Sequence, residues 1–369
     1  MSGFLSLEAL KRPLALRASS RSRPPQIKPS ATAGDQATPM AASLTDRSQW
    51  KPLGPAFKAA VRAYARASTA RLLAADSRNA ITAPLYHYTD ARGLEGIISA
   101  QQIWFTHYQH LNDPSEMEFG ISVAKKVLAE IGERNGQKVK IFCDMAADLF
   151  STDNMHRTFE FYVGSFSRER DDLRQWQVYA SNGRGFALGL APHLFAVEDK
   201  PGRKPHENVS VAPVHYGDDA GRRLHLPAIE SAAQIIAQTV ERKAKLMHDI
   251  NKGMPFFDEM GKNLIAAELL VNSLTIKHAA YEHEREVRLF IVGEIATLAP
   301  YVSTRTRGSD SVPFIKSDMP LQRPGSIAEI VVGPSAPPDA EEFVCALLRP
   351  FHDRPESIVR RSAIPYRAF

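Results

Sequence analysis

The chain has 369 residues, 44% of them hydrophobic and 24% charged, with a formal net charge of +5. That composition supports a sizeable core and excludes disorder of the whole chain, and no apolar run approaches the roughly 20 residues needed to cross a bilayer as a helix. The positive charge is confined to the start: residues 1–80 carry 13 Lys+Arg against 4 Asp+Glu and the remainder 33 against 37, which speaks against nonspecific nucleic-acid binding by the main domain.

From Arg17 to Asp46 the residues are mostly Ser, Ala, Pro and Arg, with almost no side chain able to build a core, so residues 1–50 are expected to be disordered. The first 30 residues hold one acid, Glu8, a composition shared by organelle transit peptides, bacterial type III secretion signals and plain linkers. Bacterial cytoplasm and secretion into a host cell are thus both open as locations. Residues 51–84 are read as an amphipathic helix and linker. Between Pro55 and Ala75, Phe57, Ala60, Val61, Tyr64 and Leu72 recur at helical spacing, with Ser68 interrupting that face. The helix either packs on the domain that follows or lies on a membrane surface.

Residues 85–369 read as one α+β domain, a mixed and mainly antiparallel sheet with flanking helices. Leu85 to Thr89 is a short aromatic strand, Ala91 to Ala100 a helix and Ile103 to Tyr108 a strand. Asn112-Asp-Pro-Ser-Glu116 starts a helix through Leu128, with a capping Asn or Asp, Pro in the first turn and an acid where the macrodipole favours it. Strands follow at Phe159 to Phe166, Phe186 to Leu190 and Val211 to Tyr216. Long helices are expected from Pro227 to Lys252 and from Phe257 to Ala280. Glu286 to Val292 and Ile327 to Val332 are strands, and Glu341 to Leu348 is a closing helix. The elements show no regular βαβ repeat, which favours α+β over a doubly wound sheet.

Three groups of residues could carry chemistry. His87 lies between Tyr86 and Tyr88 in the first strand, with Thr89 after it; alone, such a histidine is usually a bonded core residue. Ser165 and Ser167 share a face by period-2 alternation, and Trp176 and Tyr179 follow at helical spacing, either as an aromatic wall or as a helix covering the sheet. Glu284, Glu286 and Arg288 alternate into a strand whose continuation, Leu289-Phe-Ile-Val292, has a buried pattern; a carboxylate at the mouth of such a strand is a candidate catalytic group. The spacing of His278 and His283 matches no metal motif, so no metal is expected. Cys143 and Cys345 have no CxxC partner, which supports neither a disulfide framework nor a cysteine zinc site.

Taken together, Leu85-Tyr-His-Tyr-Thr89, Leu111-Asn-Asp-Pro-Ser-Glu116, Ser165-Phe-Ser167, Gln175-Trp176, Gly185, Glu284-x-Glu286-x-Arg288, Ile330-Val-Val-Gly-Pro334 and Ser362-Ala-Ile-Pro-Tyr366 resemble the bacterial domain of unknown function 2971. More distantly, a strand histidine, a Ser-x-Ser strand and a Glu-x-Glu strand are similar to the order found in ADP-ribosyltransferases. That likeness implies NAD as co-substrate. It gives His87, with Tyr88 and Thr89, a place at the NAD ribose, puts Ser165, Ser167, Trp176 and Tyr179 around the nicotinamide, and makes Glu286 the catalytic carboxylate with Glu284 beside it. It further implies a protein or nucleic-acid acceptor, in a host if the chain is secreted. On this reading His87 and Glu286 lie on neighbouring strands and face one cavity. The competing reading is a noncatalytic ligand- or protein-binding module in a bacterial stress or phage-defence system.

Overall fold

The computed structural model describes residues 51–113, 116–150, 159–196, 203–242, 250–261 and 265–368. The segment expected to be disordered, residues 1–50, lies outside the described residues.

Helix α1 (Pro55–Arg78) forms where the apolar spacing places it, and Phe57, Ala60, Tyr64 and Ser68 are buried. These apolar residues join the main core cluster, which settles the helix as packed on the domain. The packed fold therefore begins upstream of residue 85. Near the far end of α1, Arg71 grips the buried Glu268 with Nε and Nη2 at 2.7 and 2.8 Å, and the Tyr64 hydroxyl donates to the same carboxylate at 3.0 Å. Replacing Arg71 by Met would leave Glu268 with only a neutral donor. A loss of about 2 kcal/mol is expected, less than for a fully buried pair because Arg71 is partly exposed. An unchanged urea midpoint would show that water already solvates Glu268.

The sheet is assembled from β1 (Leu85–Thr89), β2 (Gln102–His107), β3 (Phe159–Ser167), β4 (Phe186–Leu190), β5 (Ser210–Pro213), β8 (Glu286–Glu294), β9 (Val302–Arg307), β10 (Asp310–Asp318), β11 (Ile327–Val332) and β12 (Val359–Arg361). Its main path runs β12-β11-β4-β1-β3-β2-β10-β9. Only the β11–β12 pair in it is parallel. The architecture is thus the expected α+β with a mixed, mainly antiparallel sheet.

Strand β3 is the branch point. One edge pairs with β8 from Phe159 to Ser167. The other edge is shared: β1 pairs at Ser167, and β2 pairs at Val163 and Tyr162. Between them, residues 164–166 have no strand partner on that side, so the sheet splits there.

One face of the sheet is covered by α1, α3 (Glu116–Arg134), α4 (Gln137–Leu149), α6 (Gly217–Arg242), α7 (Ile250–Met260) and α8 (Ala266–Ser273), around Phe161, Val163 and Phe290. The opposite face packs α2 (Ala91–Ala100) and α9 (Ala340–Leu348) over Phe166, Leu188, Val287 and Ile330. The short α5 (Leu173–Tyr179) lies against β1.

Several boundaries differ from expectation. The strand expected over 211–216 is two: β5 pairs β8, and β6 (His215–Tyr216) pairs in parallel with β7 (Ile276–Lys277). That same pairing ends the helix expected over 257–280, because Ile276 and Lys277 are drawn into the small sheet. Helix α6 starts ten residues before the expected Pro227, and the proline sits inside it.

Gly93 and Gly185, the second of them named in the motifs above, are fixed by close packing around Thr89. A Cβ on Gly93 would fall 2.0 Å from the Thr89 hydroxyl, and one on Gly185 would fall 2.2 Å from its carbonyl oxygen. Thr89 is thus a packing junction.

His225 on α6 is fully buried, its Nε2–H donating to the Gly120 carbonyl at 3.2 Å while Nδ1 has no partner. Protonation would place an N–H with no acceptor in the core, and burial lowers the pKa from 6.5 to about 4. Between those values the unfolded chain binds the proton and the folded one does not, so stability falls as pH drops through this window. The loss is on the order of 3 kcal/mol for such a shift. Replacing His225 by Phe should flatten the stability curve between pH 6.5 and 4; an unchanged slope would assign the acid sensitivity to other groups.

Candidate active site

The β3–β8 ladder sets Ser165 opposite Arg288 and Ser167 opposite Glu286. Laterally paired residues share a face, so these four side chains lie on the helical side of the sheet while Phe166 and Val287 point into the other core. Three further groups meet them there. Glu116 comes from the first turn of α3, a position the helix dipole favours for an acid. Lys277 comes from β7 and is 4% exposed at its side chain. Glu284 ends a 3-10 turn just before β8.

Arg285 brings the two glutamates together. It takes a left-handed φ of 44°, unusual for a residue with a Cβ, and so reverses the chain between Glu284 and Glu286. Both carboxylates then reach Lys277, at 2.7 Å for Glu284 and 3.3 Å for Glu286. Lys277 also pairs with Glu116 at 2.8 Å. Arg288 binds both oxygens of Glu286, through Nε at 2.9 Å and Nη2 at 3.0 Å, and its Nη2 also pairs with Glu116. Its Nη1 donates to the Leu274 carbonyl at 2.8 Å.

The result is a buried cluster of three carboxylates and two cations. Burial alone would raise the Glu286 pKa, but Arg288 and Lys277, with the Ser165 hydroxyl close by, pull it down to about 2. Burial likewise works against the charge on Lys277 and on Arg288, and the surrounding glutamates outweigh it in both cases. Glu286, Lys277 and Arg288 are therefore charged at neutral pH, and the cluster sets three acids against two bases.

Other residues expected at the site divide into those at the cluster and those committed elsewhere. The Tyr179 hydroxyl donates to Glu284 at 2.9 Å. Ser167 is buried, donating to the Glu284 carbonyl at 2.7 Å and accepting from the Glu169 N–H at 3.0 Å, so it fastens the turn and is closed to a ligand. Ser165, by contrast, is exposed in mid-strand beside the split. Tyr88 and Trp176 do not form an open wall. Trp176 is fully buried with its Nε1–H on Asp171 at 2.6 Å and its ring set edge-on to Tyr88, whose hydroxyl donates to the Glu169 carbonyl at 2.9 Å. Both rings are used to hold residues 169–172, and neither presents a face for stacking.

His87 and Glu286 are not on neighbouring strands, since β3 lies between β1 and β8. Nor do they share a face: the register sets His87 opposite Leu188, on the side of Phe166 and Val287. The cause is alternation, which puts Tyr86 and Tyr88 on the side of Ser165 and sends His87 the other way. Its ring packs against Phe166 and turns toward the split, where Nδ1–H donates to the Ser165 carbonyl at 3.0 Å. Burial holds its pKa below the usual histidine value, and Arg305 adds to this. Ser165 thus meets His87 through its backbone and Glu286 through its side chain.

Glu116 appeared in the sequence only as a helix-start acid, and Lys277 was hidden in an apolar run.

Residues 175–289 match the family described as Protein of unknown function (DUF2971). No curated protein and no solved structure matches the chain. The DUF2971 match takes in Tyr179, Lys277, Glu284, Glu286 and Arg288, hence most of the ionic cluster. It begins after β3, so His87, Ser165 and Glu116 lie outside the matched DUF2971 segment. Among the described residues, no helix is long and apolar enough to cross a membrane.

Proposed function

We propose that the split in the sheet at Ser165 binds NAD and that the protein is an ADP-ribosyltransferase-like enzyme that breaks the nicotinamide–ribose bond and passes ADP-ribose to an acceptor. The observation that carries this reading is the strand sequence β1–β3–β8, which bears His87, Ser165-x-Ser167 and Glu286 in turn, with Ser165 touching the other two. In the reaction the C–N bond breaks, its electron pair leaves with nicotinamide, and an acceptor nucleophile or water bonds the ribose carbon and gives up a proton. Positive charge builds on that carbon. The ionised Glu286 stabilises it. Ser165 orients the ribose hydroxyls, and His87 positions Ser165 through its carbonyl.

A second reading, a noncatalytic binding module, draws on two observations: His87 faces away from Glu286, and both oxygens of Glu286 are already engaged by cations. Incubation with NAD separates the two. The transferase reading expects free nicotinamide to accumulate, detected chromatographically, and a full-length preparation that binds NAD without releasing any would leave the binding module.

A further inference from the structure

Strands β2, β10 and β9, which run out to the β9 edge of the sheet, carry an unusual surface on the same face as Ser165. The ladders set Thr106 opposite Phe314 and Phe314 opposite Ser303, with Trp104 opposite Lys316 and Arg305 opposite Val312, so these side chains lie on one side. Trp104 is 41% exposed although it stands on a strand, and its ring stacks on the buried Phe314 with centroids 4.2 Å apart. The Arg305 guanidinium lies 5.5 Å from the Trp104 centroid and 5.8 Å from that of Phe314. A group nearly equidistant from two stacked rings must flank the stack, because one capping the indole would be far from the phenyl ring. The outer face of Trp104 is therefore open.

Arg305 is also unpaired as a charge. Its one hydrogen bond is to the Thr106 hydroxyl at 3.1 Å, and among the described residues no carboxylate bridges it. Arg307 stands near, its one hydrogen bond among the described residues going to the His110 carbonyl, and Lys316 is exposed beside Trp104. The acids on this surface are Asp310, opposite Arg307 at the hairpin mouth, and Asp318, held by Gln102. In a domain with an acidic balance, a half-buried guanidinium left without a counter-ion next to an open indole suits a ligand that is both planar and anionic. The shelf adjoins the split: Thr106 pairs with Val163, and continuing that register by two residues would set Trp104 against Ser165. Arg305 is close enough to His87 to repel its proton.

The geometry points to a nucleotide subsite on this shelf, with the base stacked on Trp104 and a phosphate held by Arg305 and Arg307. The subsite borders the split assigned to NAD and rests on that reading only for the identity of its neighbour, since a nucleotide needs no glycosidic chemistry to bind. The test is calorimetric titration of the full chain with AMP, adenosine and ribose 5-phosphate, using wild type, Trp104→Ala and Arg305→Gln. AMP should bind wild type, each substitution should weaken it roughly 10-fold or more, and adenosine or ribose 5-phosphate alone should bind far more weakly. Failure of wild type to bind AMP at millimolar concentration, or equal AMP affinity in all three proteins, overturns the subsite. NAD competing with AMP identifies the adenylate half of a dinucleotide as occupant; AMP binding on the shelf without competition identifies a separate mononucleotide. AMP binding lost in both variants, with no nicotinamide release by wild type, keeps the subsite and removes the transferase. Nicotinamide release by wild type together with equal AMP affinity in all three proteins does the reverse.

Discussion

Replacing Arg288 by Met should destabilise the protein by about 3–5 kcal/mol, because removing one partner of a buried ion cluster strands the others without water. Arg288 is 3% exposed at its side chain and serves Glu286, Glu116 and the Leu274 carbonyl at once. Without it, Lys277 alone faces three carboxylates. The burial that now costs little net energy would then drive one of them to take up a proton. Urea denaturation at pH 7 and pH 5 measures this: the variant should regain part of its loss at the lower pH, where protonation relieves the repulsion, while wild type does not. A loss below 1 kcal/mol would mean that water enters the cluster and solvates the glutamates.

Glu286→Gln has the second large expected effect. Deleting a preorganised charge at a developing cation typically costs on the order of 100-fold or more in turnover, so nicotinamide release should fall by that factor with NAD affinity little changed. The variant should also melt earlier. The two cations on Glu286 give it a structural share beside its catalytic one. Its low pKa sets the sign: that contribution is present above about 4.5 and is lost as pH falls toward about 2. Turnover must therefore be measured well below the melting temperature. Full nicotinamide release by the Gln variant would exclude Glu286 and make Glu284 the next carboxylate to test.

What could be read from the sequence was what local patterns encode. Strand β1 announces itself by aromatic residues in a short run, and Glu116 by the capping signals before it. Helix α4 was legible but overlooked, since Val139, Phe142, Cys143 and Ala146 repeat at helical spacing and are buried. The β9–β10 hairpin was hidden for a physical reason: Ser, Thr and Arg on an edge strand and Pro313 within its partner resemble loop composition. Lys277 was hidden because its place depends on pairing with residues 215–216, some sixty positions away, which no local period reveals. The facing of His87 also escaped, because alternation along one strand gives no phase relative to another until the register between them is known.

The branch at β3 bears on where this chain can be cut. Strand β8 is the last element of the DUF2971 match, yet its whole length is zipped to β3, which precedes that match. An excised 175–289 fragment would keep β5 as a neighbour for β8 but leave the other edge bare, with Glu286 to Leu289 stripped of their partners Ser167 to Gly164. It would also end at Leu289, midway along the strand. Such a piece offers an open template to other copies of itself and should precipitate on expression. The stretch that matches the family model is thus not a folding unit, and any minimal version of this protein has to reach back at least to β3.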